Sequence, residues 1–204
     1  MNREAFVAQM QTYMPEKACS IGFDWLEQYP AKLKITKPRK TKLGDFRPKT
    51  SAGIAQITVN GNLNQYQFLI TFTHEVAHLI DFTKRNSLVD PHGDHWKTEY
   101  QRLLVELVQA NVFPENLRPA LIKHINRPKA ASCSDPELLK ALRQFDEKPA
   151  LTLSELPAGS TFSIGNDRHF IKGPLRRTRY RCEEVGSGKY FLVHGASEVE
   201  VIQT

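Results

Sequence analysis

The run Leu69-Ile70-Thr71-Phe72-Thr73-His74-Glu75-Val76-Ala77-His78-Leu79-Ile80 carries two helical patterns at once. Leu69, Phe72, Val76, Leu79 and Ile80 recur at i, i+3 and i+4 spacings, which predicts a long helix burying that stripe. His74 and His78 are four residues apart, so on a helix they project from one face, one turn from each other. Two imidazoles so placed can hold one metal ion, and Glu75 beside them can take a proton from a water that the ion activates. In a shuffled chain of this composition, even counting every acid as a glutamate, the His-Glu-x-x-His pattern is expected at most roughly 0.03 times, so chance is a poor explanation.

Downstream, Asp90-Pro91-His92-Gly93-Asp94-His95-Trp96 leads into a second helical pattern over residues 94–110, with Trp96, Tyr100, Leu103, Leu104 and Leu107 on its buried side. An open zinc site needs a third protein ligand. His92, His95 and Glu99 are all in reach by spacing, which does not choose among them. Tyr100 is a candidate donor to the substrate oxygen.

Upstream, the turn residues Asn60-Gly61-Asn62 follow a β-branched segment, Ile54 to Val59, that reads as a strand. Lys32 to Thr36 alternates charged and apolar residues, as a half-exposed strand does. Before it, Phe6, Met10, Tyr13 and Met14 predict a short helix ending at Pro15, and Ile21, Trp25 and Leu26 a second one ending at Pro30.

Histidines at 74, 78 and 92, Glu75, and the pair Gly93 and Trp96, with a basic strand segment ahead of them, resemble the SprT-like family of zinc metallopeptidases, whose eukaryotic relative is Spartan. The likeness covers roughly Lys32 to Ala110. It implies His92 as third ligand, with His95 as a neighbouring or alternative group, one Zn2+ per chain, and a compact zincin-type α+β domain. It also implies a strand at the cleft that pairs with an extended peptide, a role assigned here to Ile54, Ala55, Gln56 and Ile57. Protein substrates associated with DNA, as in repair of DNA–protein crosslinks, are a further implication. The chain departs from bacterial relatives that carry a four-cysteine zinc ribbon: only Cys182 lies in that region, and it is expected to be a buried small apolar group.

Residues 1–127 are thus expected to form the metallopeptidase domain, 128–150 a proline-punctuated helical connector packed on it, and 151–204 a small all-β module. The connector's helix is expected to begin at Ser134 or Asp135, with Pro136 in its first turn. In the module, five short strand-like runs are separated by turns such as Gly186-Ser187-Gly188.

The chain has 204 residues, 28 Lys+Arg against 22 Asp+Glu, and no run approaching the ~20 apolar residues of a membrane span. The start, Met-Asn-Arg-Glu, lacks an apolar signal core, and Cys19, Cys133 and Cys182 form no disulfide framework. A cytoplasmic location is expected, with nucleoid association if DNA is bound. Residues 32–49 hold eight basic residues and one acid, a local positive field that attracts polyanions. Lys37, Arg39, Lys40 and Lys42 there, and Arg177, Arg179 and Arg181 near the C-terminus, are the nucleic-acid candidates, with Tyr190 or Phe191 available for base stacking. The rival reading is a non-catalytic DNA-binding or scaffold protein in which zinc is structural.

Overall fold

A central strand decides the arrangement of the first unit. In the computed structural model, which describes residues 2–39, 41–48, 53–87, 89–129, 135–147, 151–165 and 168–202, β3 (Ala55–Asn60) lies between two partners. β1 (Ala31–Thr36) pairs with it in parallel, from Ala31 opposite Ala55 to Thr36 opposite Asn60. β2 (Gly44–Arg47) pairs antiparallel on the other edge, with Gly44 opposite Val59 and Arg47 opposite Gln56. The central position explains why Ile57 and Val59 are fully buried, and why the β-branched run there is nearly continuous.

Two helices precede the sheet. α1 (Arg3–Met10) starts at Asn2, whose side chain accepts from the Ala5 N–H, and α2 (Glu16–Gln28) follows Pro15. They contribute Phe6, Met10, Ala18, Cys19 and Trp25 to the core. α3 (Gln65–Arg85) is capped by Asn64, which accepts from the N–H groups of Tyr66 and Gln67, and ends at Asn86 in the left-handed conformation. All five residues of its predicted stripe are buried, as are the five named on α4 (Asp94–Gln109).

Two elements were not foreseen. β2 is only four residues long and lies inside the basic run. α5 (Arg118–Asn126) contains Pro119, read from sequence as a break; a proline is tolerated in a first turn, where its missing N–H has no intrahelical partner. α6 (Pro136–Arg143) is capped by Asp135, which accepts from the Leu138 N–H, and its Leu138 and Leu142 enter the same core. Asn64 Nδ2 also donates to the Leu142 carbonyl at 3.0 Å, tying α6 to the start of α3. Ser134 and Cys133 lie outside the described residues.

The chain divides into two compact units, residues 1–147 and 148–204. The second is an antiparallel sheet of order β7-β6-β5-β4-β8, from β4 (Thr161–Ser163), β5 (His169–Arg176), β6 (Arg179–Glu184), β7 (Tyr190–His194) and β8 (Glu200–Val201). Its own small core comprises Leu153, Leu156, Phe162, Phe170, Cys182 and Val199. Cys182 is fully buried, and burial raises its thiol pKa. The protein is therefore a mixed α+β chain with six α-helices and two small sheets among the described residues. None of these helices is long and apolar enough to cross a membrane.

Candidate metal centre

His74 and His78 face the same way on α3 because they are one turn apart, and their Nε2 atoms are 3.1 Å from each other. His92 reaches them from the loop ahead of α4. Its Nε2 lies 3.1 Å from that of His78 and 3.3 Å from that of His74. The delivering turn has Pro91 and His92 at its centre: the Gly93 N–H donates to the Asp90 carbonyl at 3.0 Å. A Cβ on residue 93 would push the Asp90 carboxylate aside and press on the Asp90 carbonyl at 3.2 Å, so glycine lets Asp90 lie close against the turn.

Trp96 forms the floor. Fully buried, it meets His74 and His92 edge-on at 4.7 and 4.8 Å between centroids and stacks on His78 at 5.3 Å. Tyr100 stacks beneath Trp96 at 4.9 Å. Its hydroxyl is within 3.4 Å of His124 Nε2, and His124 Nδ1 lies 2.9 Å from Asp135 Oδ2. The site thus rests on a buried polar chain reaching α5 and the cap of α6. This also corrects the role expected for Tyr100: it is fully buried beneath the imidazoles and is no donor to a substrate oxygen.

Do these residues suit a metal? Three nitrogens bound tetrahedrally at zinc distances of about 2.0–2.1 Å stand ~3.3 Å apart. The observed 3.1–3.3 Å triangle matches that spacing. Without a cation, the arrangement crowds three nitrogens together with few protons to share. The protonation states agree. Burial pushes His74 well below its ordinary pKa, with His78 and His92 adding to the effect. Burial, then His92, brings His78 down to about 4 against the pull of Asp81, and burial lowers His92 against Asp90. At neutral pH all three are free bases, the form that binds metal. Among the described residues, the three side chains that converge are His74, His78 and His92.

The same shifts fix a pH dependence. An unfolded imidazole takes its proton near 6.5, whereas folded His78 holds out to about 4. The unfolded state therefore binds more protons at this site in that window, so His78 costs the metal-free fold stability as pH falls from 6.5 towards 4, while the raised pKa of Glu75 acts in the opposite sense. Melting of metal-stripped Glu75→Gln, in which that opposing carboxyl is absent, should show a lower Tm at pH 5 than at pH 7.5. His78→Gln, which cannot titrate, should flatten part of that slope; an unchanged slope contradicts the assignment.

Glu75 is buried beside the trio, with 7% exposure. Burial and then the Asp45 carboxylate raise its pKa to about 8, opposed by a hydrogen bond from the Phe46 backbone N–H and by Arg39 and Lys42. β2 runs closely past it: a Cβ at Gly44 would lie 2.5 Å from Glu75 Oε1. Phe46 stacks on His78 at 6.4 Å and leans on Phe82 at 6.0 Å. Neither Gly44 nor Phe46 was singled out from sequence, where the charges around them dominate.

Several expected residues lie elsewhere. His95 is exposed on the first turn of α4. Glu99 is engaged by Lys84 and Arg102 at 2.5 and 3.1 Å; burial opposes ionisation there, but the two cations outweigh it and lower its pKa. Of the substrate-pairing residues Ile54, Ala55, Gln56 and Ile57, the role given to Gln56 and Ile57 is corrected. Gln56 and Ile57 have a strand on both edges, Ala55 is buried, and exposed Ile54 precedes the strand. The sheet edge beside Glu75 belongs to β2.

The nucleic-acid candidates divide likewise. The Arg39 guanidinium is spent inside the unit, donating to Asn60 Oδ1 at 2.8 Å, Thr58 Oγ1 at 3.0 Å and the Leu43 carbonyl at 3.4 Å. Lys42 pairs with Asp45 at 2.8 Å, Lys37 is exposed, and Lys40 lies outside the described residues. Arg177 is not on the strand face with Arg179 and Arg181: it sits in the β5–β6 turn at a φ of 57°. Arg181 covers the Tyr190 ring at 3.7 Å, and Phe191 packs against Phe170, so neither aromatic is a bare stacking platform. Lys172, counted by sequence with the C-terminal basic cluster, is buried and donates to the Leu156 and Ser154 carbonyls.

No protein-family model, curated protein or solved structure matches this chain.

Proposed function

We propose that this chain is a zinc metallopeptidase of the SprT-like type, with a zincin-type catalytic domain. The observation that carries the reading is the convergence of three neutral imidazole nitrogens within 3.3 Å of one another beside a buried carboxylate on the same helix. Nitrogen donors in this number and spacing suit zinc with a coordination position left open. A zinc ion held there supplies a Lewis acid that activates water and polarises the scissile carbonyl.

The chain's own groups do the rest. Glu75 takes the proton of the attacking water and passes it to the departing amine. β2, an edge strand packed against Glu75 and His78, offers its outer edge to an extended peptide by strand addition. Trp96 and the Tyr100–His124–Asp135 chain hold the imidazoles in place from below. Substrates carried on DNA are part of the proposal, supported by basic side chains exposed in each unit: Lys32, Lys34 and Lys37 in the first, Arg176, Arg177 and Arg179 in the second. A closed structural site would call for a fourth ligand; among the described residues His74, His78 and His92 are the group that converges, which favours the open site over the scaffold reading.

The test is metal-dependent proteolysis. Zinc-loaded protein should cleave casein or a DNA-bound protein; chelation should abolish cleavage and added Zn2+ restore it. Undiminished cleavage after complete zinc removal, or none by the loaded chain on either substrate, overturns the proposal.

A further inference from the structure

Asp81 lies one helical turn beyond His78, is 4% exposed, and faces Arg85. The Arg85 guanidinium grips it with two parallel bonds, Nε to Oδ1 at 2.6 Å and Nη2 to Oδ2 at 2.5 Å. Such a pair would ordinarily just close the end of a helix. Here the third guanidinium nitrogen reaches past that end: Nη1 donates to the Val89 carbonyl at 3.3 Å, three residues ahead of His92. α3 has already stopped at Asn86, in the left-handed conformation, and Asp90 is left-handed too, with a φ of 54°. The segment that delivers the third imidazole thus leaves one helix and enters the next through two unusual backbone positions. The Arg85 fork ties it to the helix that supplies the other two imidazoles.

We infer that the Asp81–Arg85 pair is the positioning device for His92, and that it sets the affinity of the three-histidine site for its metal. The inference rests on the metal reading of the trio but not on peptidase activity. Two histidines on one helix turn are presented by α3 itself. The third arrives on a loop, and whatever order that loop lacks before binding must be imposed by binding. A guanidinium is suited to this task because its planar fork can hold a carboxylate and still offer a nitrogen elsewhere; an ammonium is a single point.

For the Arg85 charge alone, electrostatics and positioning predict opposite signs. Arg85 is a cation near a cation site, so removing its charge alone should tighten metal binding. Loss of positioning should weaken it. Arg85→Met combined with Asp81→Asn removes one charge of each sign and leaves no buried carboxylate without a partner. Measured by competition with a chromophoric chelator on the full chain, this double variant should bind Zn2+ about 10–100-fold more weakly, the size typical of lost outer-shell partners, while still taking one ion at saturation. Arg85→Lys, which keeps both charges but not the fork, should also be weakened; it separates lost positioning from the lost Asp81 charge, and it decides the matter if the double variant fails to fold. Lys97→Met, which breaks an exposed pair with Asp94 on α4, should stay within twofold of wild type. Wild-type affinity or tighter in the double variant overturns the inference. A wild-type chain that binds no metal overturns both this and the metal reading, whereas one that binds metal without cleaving protein overturns only the proposed peptidase function.

Discussion

Glu75→Gln should lower kcat for protein hydrolysis by on the order of 10³-fold, with zinc content unchanged at one per chain. The glutamate is not among the three groups whose nitrogens converge, so the metal site does not depend on it. Glutamine has the same size, and its amide oxygen can accept the Phe46 N–H as the carboxylate does. What is lost is the capacity to take a proton, so KM should change little. Stability separates this loss from a folding defect. With a pKa of about 8 in the fold against 4.5 ordinarily, metal-free Glu75 binds a proton that the unfolded chain has released, so Glu75 costs the fold stability as pH rises from 4.5 to 8, opposite in sign to His78. The glutamine variant escapes that loss, and its metal-free Tm should exceed wild type at pH 8. A cation bound beside Glu75 favours the ionised form, so the difference should shrink on adding zinc. Wild-type kcat in Glu75→Gln would remove Glu75 from the mechanism.

The parts of this site that were legible in the sequence are those set by helical period. Leu69, Phe72, Val76, Leu79 and Ile80 announce the buried stripe of α3, and the four-residue spacing of His74 and His78 fixes their common face whatever surrounds them. His92 was less determined: spacing left it level with His95 and Glu99, and the family resemblance singled it out. What escaped was mostly long-range. A strand's pattern says that its faces are buried but not which strands flank it, so the sequence of β3 is compatible with a substrate-facing edge, whereas it is the centre of its sheet. Charge misled in the same way. Arg39 and Lys172 read as surface cations, yet each is satisfied by oxygens that other segments bring to it. Asp81 and Arg85 form an ordinary i, i+4 pair in sequence, and only the fold shows the Val89 carbonyl waiting at the guanidinium's third corner.

Gly44→Val should lower kcat/KM by ~10²-fold or more, though residue 44 carries no chemistry of its own. A Cβ there would meet Glu75 Oε1 at 2.5 Å and both Glu75 Cγ and Thr71 Cγ2 at 2.8 Å. These neighbours sit on the buried middle of α3, which is packed on all sides and cannot retreat. The strand must yield instead. Among the described residues β2 is bonded to β3 alone, and it can shift outward by giving up contacts around the Gly44–Val59 position. That shift would withdraw the Phe46 N–H from Glu75 and the Phe46 ring from His78, and would move the edge offered to a peptide. Forcing extra bulk into a packed site typically costs about 1–3 kcal/mol, so the variant should fold with a lowered Tm. Its trio, carried by α3 and the loop ahead of α4, should still bind one zinc with near-native affinity. The expected signature is therefore a fall of ~10²-fold or more in kcat/KM on casein in a folded, zinc-replete protein. Gly44→Ala should fall between the two. If Gly44→Val keeps wild-type kcat/KM, β2 neither positions Glu75 nor receives the substrate, and the cleft must be sought on another side of the imidazole cluster.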